Sequence, residues 1–274
     1  MYARPGTPRS IGGVLDDAIR LYRASLSSCW LLALLSGLLA SATSLYTTLH
    51  LGALGLNRVN TVAGATAFMS RLQAMGSSPV EWGGDLLVAL VWLVFHAAIL
   101  RRQDGVAMDR PESLGGVLGF VLARLPGLVV GGIVWAITLT VGFILLVVPG
   151  VWAWGQLQLW LVALCTEDIG PFKALGRSWR LIEHHWWRAT TTVGVIFIVV
   201  LVLGMSEGVF VGVAVALFHV DTVAVLMLTQ LISVAVSVFT APLLTATMLA
   251  MFYDLRLRRE GGDLAARLSS LQPA

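Results

Sequence analysis

Gly204-Met205-Ser206-Glu207-Gly208 spells G-x-S-x-G, a pattern that serves as a nucleophile elbow when a strand, a turn and a helix lift the serine beside a histidine base. The run before it is apolar without a strand signal, and the nearest histidine is His219. An intramembrane serine hydrolase on Ser206 and His219 is therefore the least supported reading, and no catalytic residue is assigned. Glu167-Asp168 and Glu183-His184-His185 have metal-binding residue types. Adjacent histidines on a helix point about 100° apart, unlike the i, i+4 pair of a zinc helix, so no metal and no cofactor is expected. Glu167 and Asp168 are expected to cap a helix start, where negative charge offsets the dipole, with Pro171 in its first turn. Cys29 and Cys165, the only cysteines, are too few for a disulfide framework and read as apolar packing residues.

The elements that must position these groups lie in lipid. The chain has 274 residues, 57% hydrophobic and 12% charged, against about 25% charged in soluble domains. A polar surface large enough to solvate a globule of this size cannot be drawn from so few charges. That excludes a soluble enzyme, a disordered tail and a nucleic-acid-binding domain. The expected fold is an all-α integral membrane domain. Asp16 and Asp17 ahead of the first apolar run argue against a cleaved signal peptide.

A spanning helix needs about 20 apolar residues. Residues 29–50 supply span one and 86–100 a short span two. Between Arg124 and Glu167 lie 42 uncharged residues, about 63 Å of helix, enough for two crossings. Span three is placed at 125–148 and span four at 151–166, with the bend at Val148-Pro149-Gly150. Spans five and six lie within 189–253, with a break expected near 206–208 and a shallow apolar segment over 209–220. On this threading 16 of the 18 basic residues fall on one side, leaving Arg58 and Arg71 on the other. The positive-inside rule then places both termini in the cytoplasm.

An internal repeat accompanies the six spans. Ser10-Ile11-Gly12-Gly13-Val14-Leu15 is echoed by Ser113-Leu114-Gly115-Gly116-Val117-Leu118, and a divergent third copy begins at Phe172. Three units are expected, at 8–105, 113–168 and 170–262, followed by a short cytoplasmic tail at 263–274. Each unit is an amphipathic interfacial helix leading a helical hairpin. The apolar faces are Ile11, Val14, Leu15, Ala18 and Tyr22; Leu114, Val117, Leu118, Val121 and Leu125; and Phe172, Leu175, Trp179, Ile182 and Trp186. Arg20, Arg23, Arg177, Trp179, Arg180, Trp186, Trp187 and Arg188 make an aromatic and basic belt suited to lipid headgroups. Gly127 with Gly131, and Gly204 with Gly208 and Gly212, fall at four-residue spacing as helix-packing faces. His96, Gln156, Gln158, Glu207 and Gln230 are the candidate polar groups within spans, with His96 expected neutral and hydrogen-bonded.

Pro149-Gly150-Val151-Trp152, LCTEDIG at 164–170, PFKALGRSWRL at 171–181, YDLRLRREGGD at 253–263 and IGGVLDDAIRLYR at 11–23 together resemble the bacterial family described as the membrane domain of glycerophosphoryl diester phosphodiesterase, with its stand-alone relatives. The likeness covers most of the chain outside 51–85. It implies a six-span helical domain of the bacterial inner membrane, sometimes fused to a soluble phosphodiesterase. That catalytic barrel would need about 250 further residues, so the activity is not carried over. The reading preferred from sequence is a non-catalytic polytopic protein that binds or organises lipid, anionic lipid included, or a membrane partner or second copy. A small-solute transporter or channel is the alternative, and nucleic acid is not expected as a partner.

Overall fold

The computed structural model describes residue 2 and residues 4–53, 79–218 and 222–271. Arg58, Arg71, His219 and Asp221 lie outside the described residues. Among those described there is no strand, and the helices run α1 (Ile11–Ala53), α2 (Pro79–Ala107), α3 (Leu114–Ala123), α4 (Leu125–Leu145), α5 (Val147–Leu157), α6 (Trp160–Thr166), α7 (Pro171–Ile182), α8 (Trp186–Phe218) and α9 (Thr222–Leu271). Six candidate spans are long and apolar enough to cross a membrane: Ile11–Thr43, Leu86–Ala107, Leu125–Leu145, Val147–Thr166, Trp186–Leu217 and Ala224–Gly261.

The breaks between helices correct several expectations. The leading helix of the first unit is not separate from its span, because α1 is one helix of 43 residues with no proline to interrupt the i to i−4 ladder. In the second unit, α3 and α4 are divided only at Arg124, whose N–H donates to Phe120 O at 3.2 Å and Val121 O at 3.1 Å. Pro126 explains that position, since it has no donor and its ring would collide with the carbonyl of residue 122. In the third unit, a turn at 183–185 separates α7 from α8.

The hairpin bend lies at Leu146, in extended conformation with φ −170° and ψ 156°, ahead of the expected Val148-Pro149-Gly150. Proline is tolerated in a first helical turn, where its missing N–H has no intrahelical partner, so Pro149 lies in the first turn of α5 instead of ending α4. A Cβ on Gly142 would lie 3.0 Å from Gly150 Cα, so this glycine permits close approach of the two arms.

Span four is itself interrupted at Gln158 and Leu159, between α5 and α6. Ser178 of α7 fills the break: Leu159 N–H donates to its Oγ at 3.1 Å, and the hydroxyl donates to Gln156 O at 2.8 Å. Conversely, α8 is continuous through Ser206, Glu207 and Gly208. The expected break there is absent, since the region holds no proline and an opened turn in lipid would leave amides unpaired.

The core gathers at one end of the helices. Leu21, Leu32, Ile99, Leu100, Leu164, Ile182, Phe252 and Tyr253 are fully buried there, as are both cysteines. Over the outer part of α8, Phe197, Ile198, Leu201, Val202, Met205, Val209 and Phe210 remain exposed. The buried face of α7 is Ala174, Leu175, Ser178, Leu181 and Ile182. Phe172, expected on that face, is exposed.

Candidate functional site

The end that holds the core is closed by a network of arginines and carboxylates drawn from six segments. Asp254, in the C-terminal half of α9, is only 5% exposed. Its Oδ1 accepts from the backbone N–H of Arg9 at 2.8 Å. Its Oδ2 accepts from Arg188 Nε at 3.1 Å and Nη2 at 2.9 Å, and from Arg258 Nε at 2.9 Å. Arg188 and Arg258 also donate to Arg9 O, the latter at 2.6 Å. One carboxylate thus joins the N-terminal segment to the start of α8 and the C-terminal half of α9.

Two further buried carboxylates sit beside it. Asp17 accepts from Tyr2 Oη at 2.9 Å, and Asp104 from Tyr253 Oη at 2.5 Å. The Arg4 guanidinium lies 4.1 Å over the Tyr253 ring. Burial, followed by the hydrogen bond to Asp17, raises the Tyr2 phenol above its ordinary value.

An outer ring completes the closure. Arg177 grips Glu167 through two parallel bonds, Nε to Oε2 and Nη2 to Oε1, both 2.8 Å, and reaches Glu260 at 2.6 Å. The Glu167 hydrogen bonds lead in pushing its pKa up. Arg101 meets Glu112 at 2.5 Å, and Arg124 pairs with Asp168 and donates to Leu164 O at 3.2 Å. Arg259 lies 3.7 Å from Glu183. His185 is held below its ordinary pKa by burial first, then by Arg258, Arg259, Arg188 and His184.

Several sequence-picked residues acquire specific places. Within the expected headgroup belt, Arg20, Arg23, Arg180 and Trp187 are exposed. Arg177 and Arg188 instead bind carboxylates of their own chain. Trp179 meets Trp152 edge-on with ring centroids 4.8 Å apart, and Trp186 Nε1 donates to Trp152 O at 3.1 Å. An open groove of about 780 Å³ separates Val147, Val148, Val151 and Trp152 from residues 183–188.

Glu167 and Asp168 do not cap α7. Its N-cap is Gly170 without a side-chain bond, Pro171 stands at the first position, and both acids are engaged by arginines. His96 Nδ1 donates to Trp92 O at 2.8 Å while its ring stacks on Trp92. Gln156 and Gln158 flank the break in span four. Gln156 Oε1 and both polar atoms of Gln158 are buried without a described hydrogen-bond partner. Glu207 is half-buried on α8 and Gln230 half-buried on α9.

The glycines divide into two kinds. A Cβ on Gly131 would fall 2.6 Å from Trp160 Cζ3, and one on Gly127 would lie 3.8 Å from Pro171 Cδ. A Cβ on Gly204, Gly208 or Gly212 would meet nothing within 4 Å, so none of these three is a close-approach point for another helix among the described residues. Ser206 Oγ donates to Leu203 O at 2.7 Å within a continuous helix, which is not the geometry of a nucleophile elbow. Among the described residues no three His, Cys, Asp or Glu side chains converge as a metal site.

Sequence reasoning passed over Tyr2, Asp17, Asp104 and Ser178. The available signal for Asp17 was a carboxylate among the apolar positions Val14, Ala18 and Leu21, on the face that became buried. Asp254 lay inside the YDLRLRREGGD stretch with Arg258 at i, i+4 as a visible partner, but its bond to Arg9 was not visible, because Arg9 is 245 residues away.

A family model described as Domain of unknown function (DUF7847) matches residues 23–255. No curated protein and no solved structure matches.

Proposed function

The chain belongs to the DUF7847 domain family, and from that premise we propose that it is a non-catalytic, multi-pass protein of the cytoplasmic membrane that binds anionic lipid at its basic end. The supporting observation is the division of labour among its cations. Arg177 and Arg188 are neutralised internally, whereas Arg20, Arg23, Lys173 and Arg180 stay exposed, as does Trp187. Exposed arginine and lysine with tryptophan suit an anionic headgroup layer. Both termini face the cytoplasm in this reading, because the segments rich in arginine meet at a single end. The likeness to the membrane domain of glycerophosphoryl diester phosphodiesterase accords with an inner-membrane setting and carries no reaction with it.

The test is lipid retention by the purified full-length protein from bilayers of equal phosphatidylglycerol and phosphatidylcholine. Retained phosphatidylglycerol should exceed phosphatidylcholine several-fold. Replacing Arg20, Arg23, Lys173 and Arg180 together by glutamine should abolish that excess while leaving the internal ion pairs in place. Equal retention of the two lipids by the unaltered protein would remove the proposal.

A further inference from the structure

We propose that the α4–α5 hairpin does not cross the bilayer. It enters from the basic end, turns at Leu146 within the adjoining leaflet and returns, so that its apolar tip packs against the acyl chains of one leaflet. This concerns topology and stands apart from lipid selectivity.

The first argument is distance. Arg177, Glu183 and Arg188 reach Glu260, Arg259 and Asp254 in turn. Those three partners occupy under two turns of α9, about 9 Å of its axis. Residues 177–188 therefore run across α9 and not along it. The second arm of the hairpin travels with this segment: Ser178 bonds Gln156 and Leu159, Trp179 meets Trp152, and Trp186 meets Trp152 O.

The upper limit of the hairpin follows from Gly155. A Cβ there would lie 2.8 Å from Thr190 Oγ1, and Thr190 is only two residues past Arg188, which is bonded to Asp254. From Gly155 to the bend at Leu146 is about 14 Å of helix. From Thr190, α8 runs on to Phe218, about 42 Å. The hydrocarbon core is about 30 Å thick. Where α8 rises far enough to cross, the second arm of the hairpin covers less than half that distance beyond Gly155.

The chemistry of the tip supplies an independent argument. Ile144, Leu145, Leu146, Val147 and Val148 are all exposed, 67–78% each. A turn emerging on the far side would sit among water and headgroups, where polar and amphipathic aromatic residues are favoured. These five side chains instead suit hydrocarbon. The bend keeps backbone bonds across itself, Leu146 N–H to Gly142 O at 3.1 Å and Gly150 N–H to Leu146 O at 3.3 Å, as a turn without water requires. Crossings then come from α1, α2, α8 and α9, and an even number leaves both termini on one side.

The experiment places a single cysteine at Ile144 or Val148, each more than three-quarters exposed so that neither substitution disturbs packing, in full-length protein carrying Cys29→Ala and Cys165→Ala. Leu217→Cys near the far end of α8 is the reference. In oriented vesicles, a membrane-impermeant maleimide added opposite the termini should label Leu217→Cys and leave both tip positions at least tenfold less reacted. Spin labels at the tip should report a depth within the leaflet adjoining the termini. Labelling of the tip from the side opposite the termini would overturn the proposal, as would a depth beyond the bilayer midplane. Disulfide cross-linking between two copies at the tip, with loss of collisions with lipid-soluble oxygen, would also overturn it.

Discussion

The charged end and the outer part of α8 are built from the same apolar background and constrained in opposite ways. At the charged end the buried carboxylates have named partners, often from a distant segment, as when Asp254 binds Arg9, Arg188 and Arg258. Along 197–217 of α8, the majority of residues are exposed, and a Cβ added to any of three glycines would meet nothing within 4 Å. Lipid is as apolar as those side chains, so helix association in the bilayer gains little from hydrophobicity and depends on packing and polar contacts. Specificity is therefore concentrated where charges must be satisfied, and the outer helix is held mainly by its length and hydropathy.

Asp254→Ala should break this contrast most severely. It takes the carboxylate from two guanidinium groups, which keep only their bonds to Arg9 O, and leaves the Arg9 N–H unpaired, a loss of about 3–5 kcal/mol. Ile198→Ala on exposed α8 should stay within about 0.5 kcal/mol. Unfolding of both variants in the same detergent reads the difference, and comparable losses would show that the two regions are not distinct.

The glycines give a smaller and sharper version. Gly131→Ala drives a Cβ against Trp160 and should destabilise by about 1–3 kcal/mol through overpacking. Gly208→Ala has open space and should be neutral or stabilising by up to about 1 kcal/mol from helix propensity. Paired thermal denaturation curves check the opposite signs.

The smallest expected effect is on pH. His185 has its pKa lowered in the fold, so the unfolded chain binds the proton first as acid is added. Stability should fall as pH drops below about 6.5, the unperturbed value, and level off once the folded-state pKa is passed. His185→Gln should flatten that part of the pH profile relative to the unaltered protein. An unchanged slope would mean that another group carries it.

Much of this was legible in sequence. Charge-free runs located six candidate spans, the cysteines packed as apolar residues, and Pro171 opened its helix. Breaks were harder. Pro149 signalled a turn, but the position of the bend followed from the proline's place in the succeeding helix. The glycines at 204 and 208 suggested a break that an apolar medium penalises. Gln156 and Gln158 were visible as polar groups, yet the interruption between α5 and α6 depends on Ser178, 19 residues beyond Leu159.

Sequence alone determined which segments are long and apolar enough to span a membrane, because hydropathy acts locally and nearly additively along a chain. Only the tertiary structure decided which carboxylate holds which arginine, where span four opens and where the α4–α5 hairpin bends. Each of those depends on contacts between segments, and no periodicity within a single segment records who its neighbours will be.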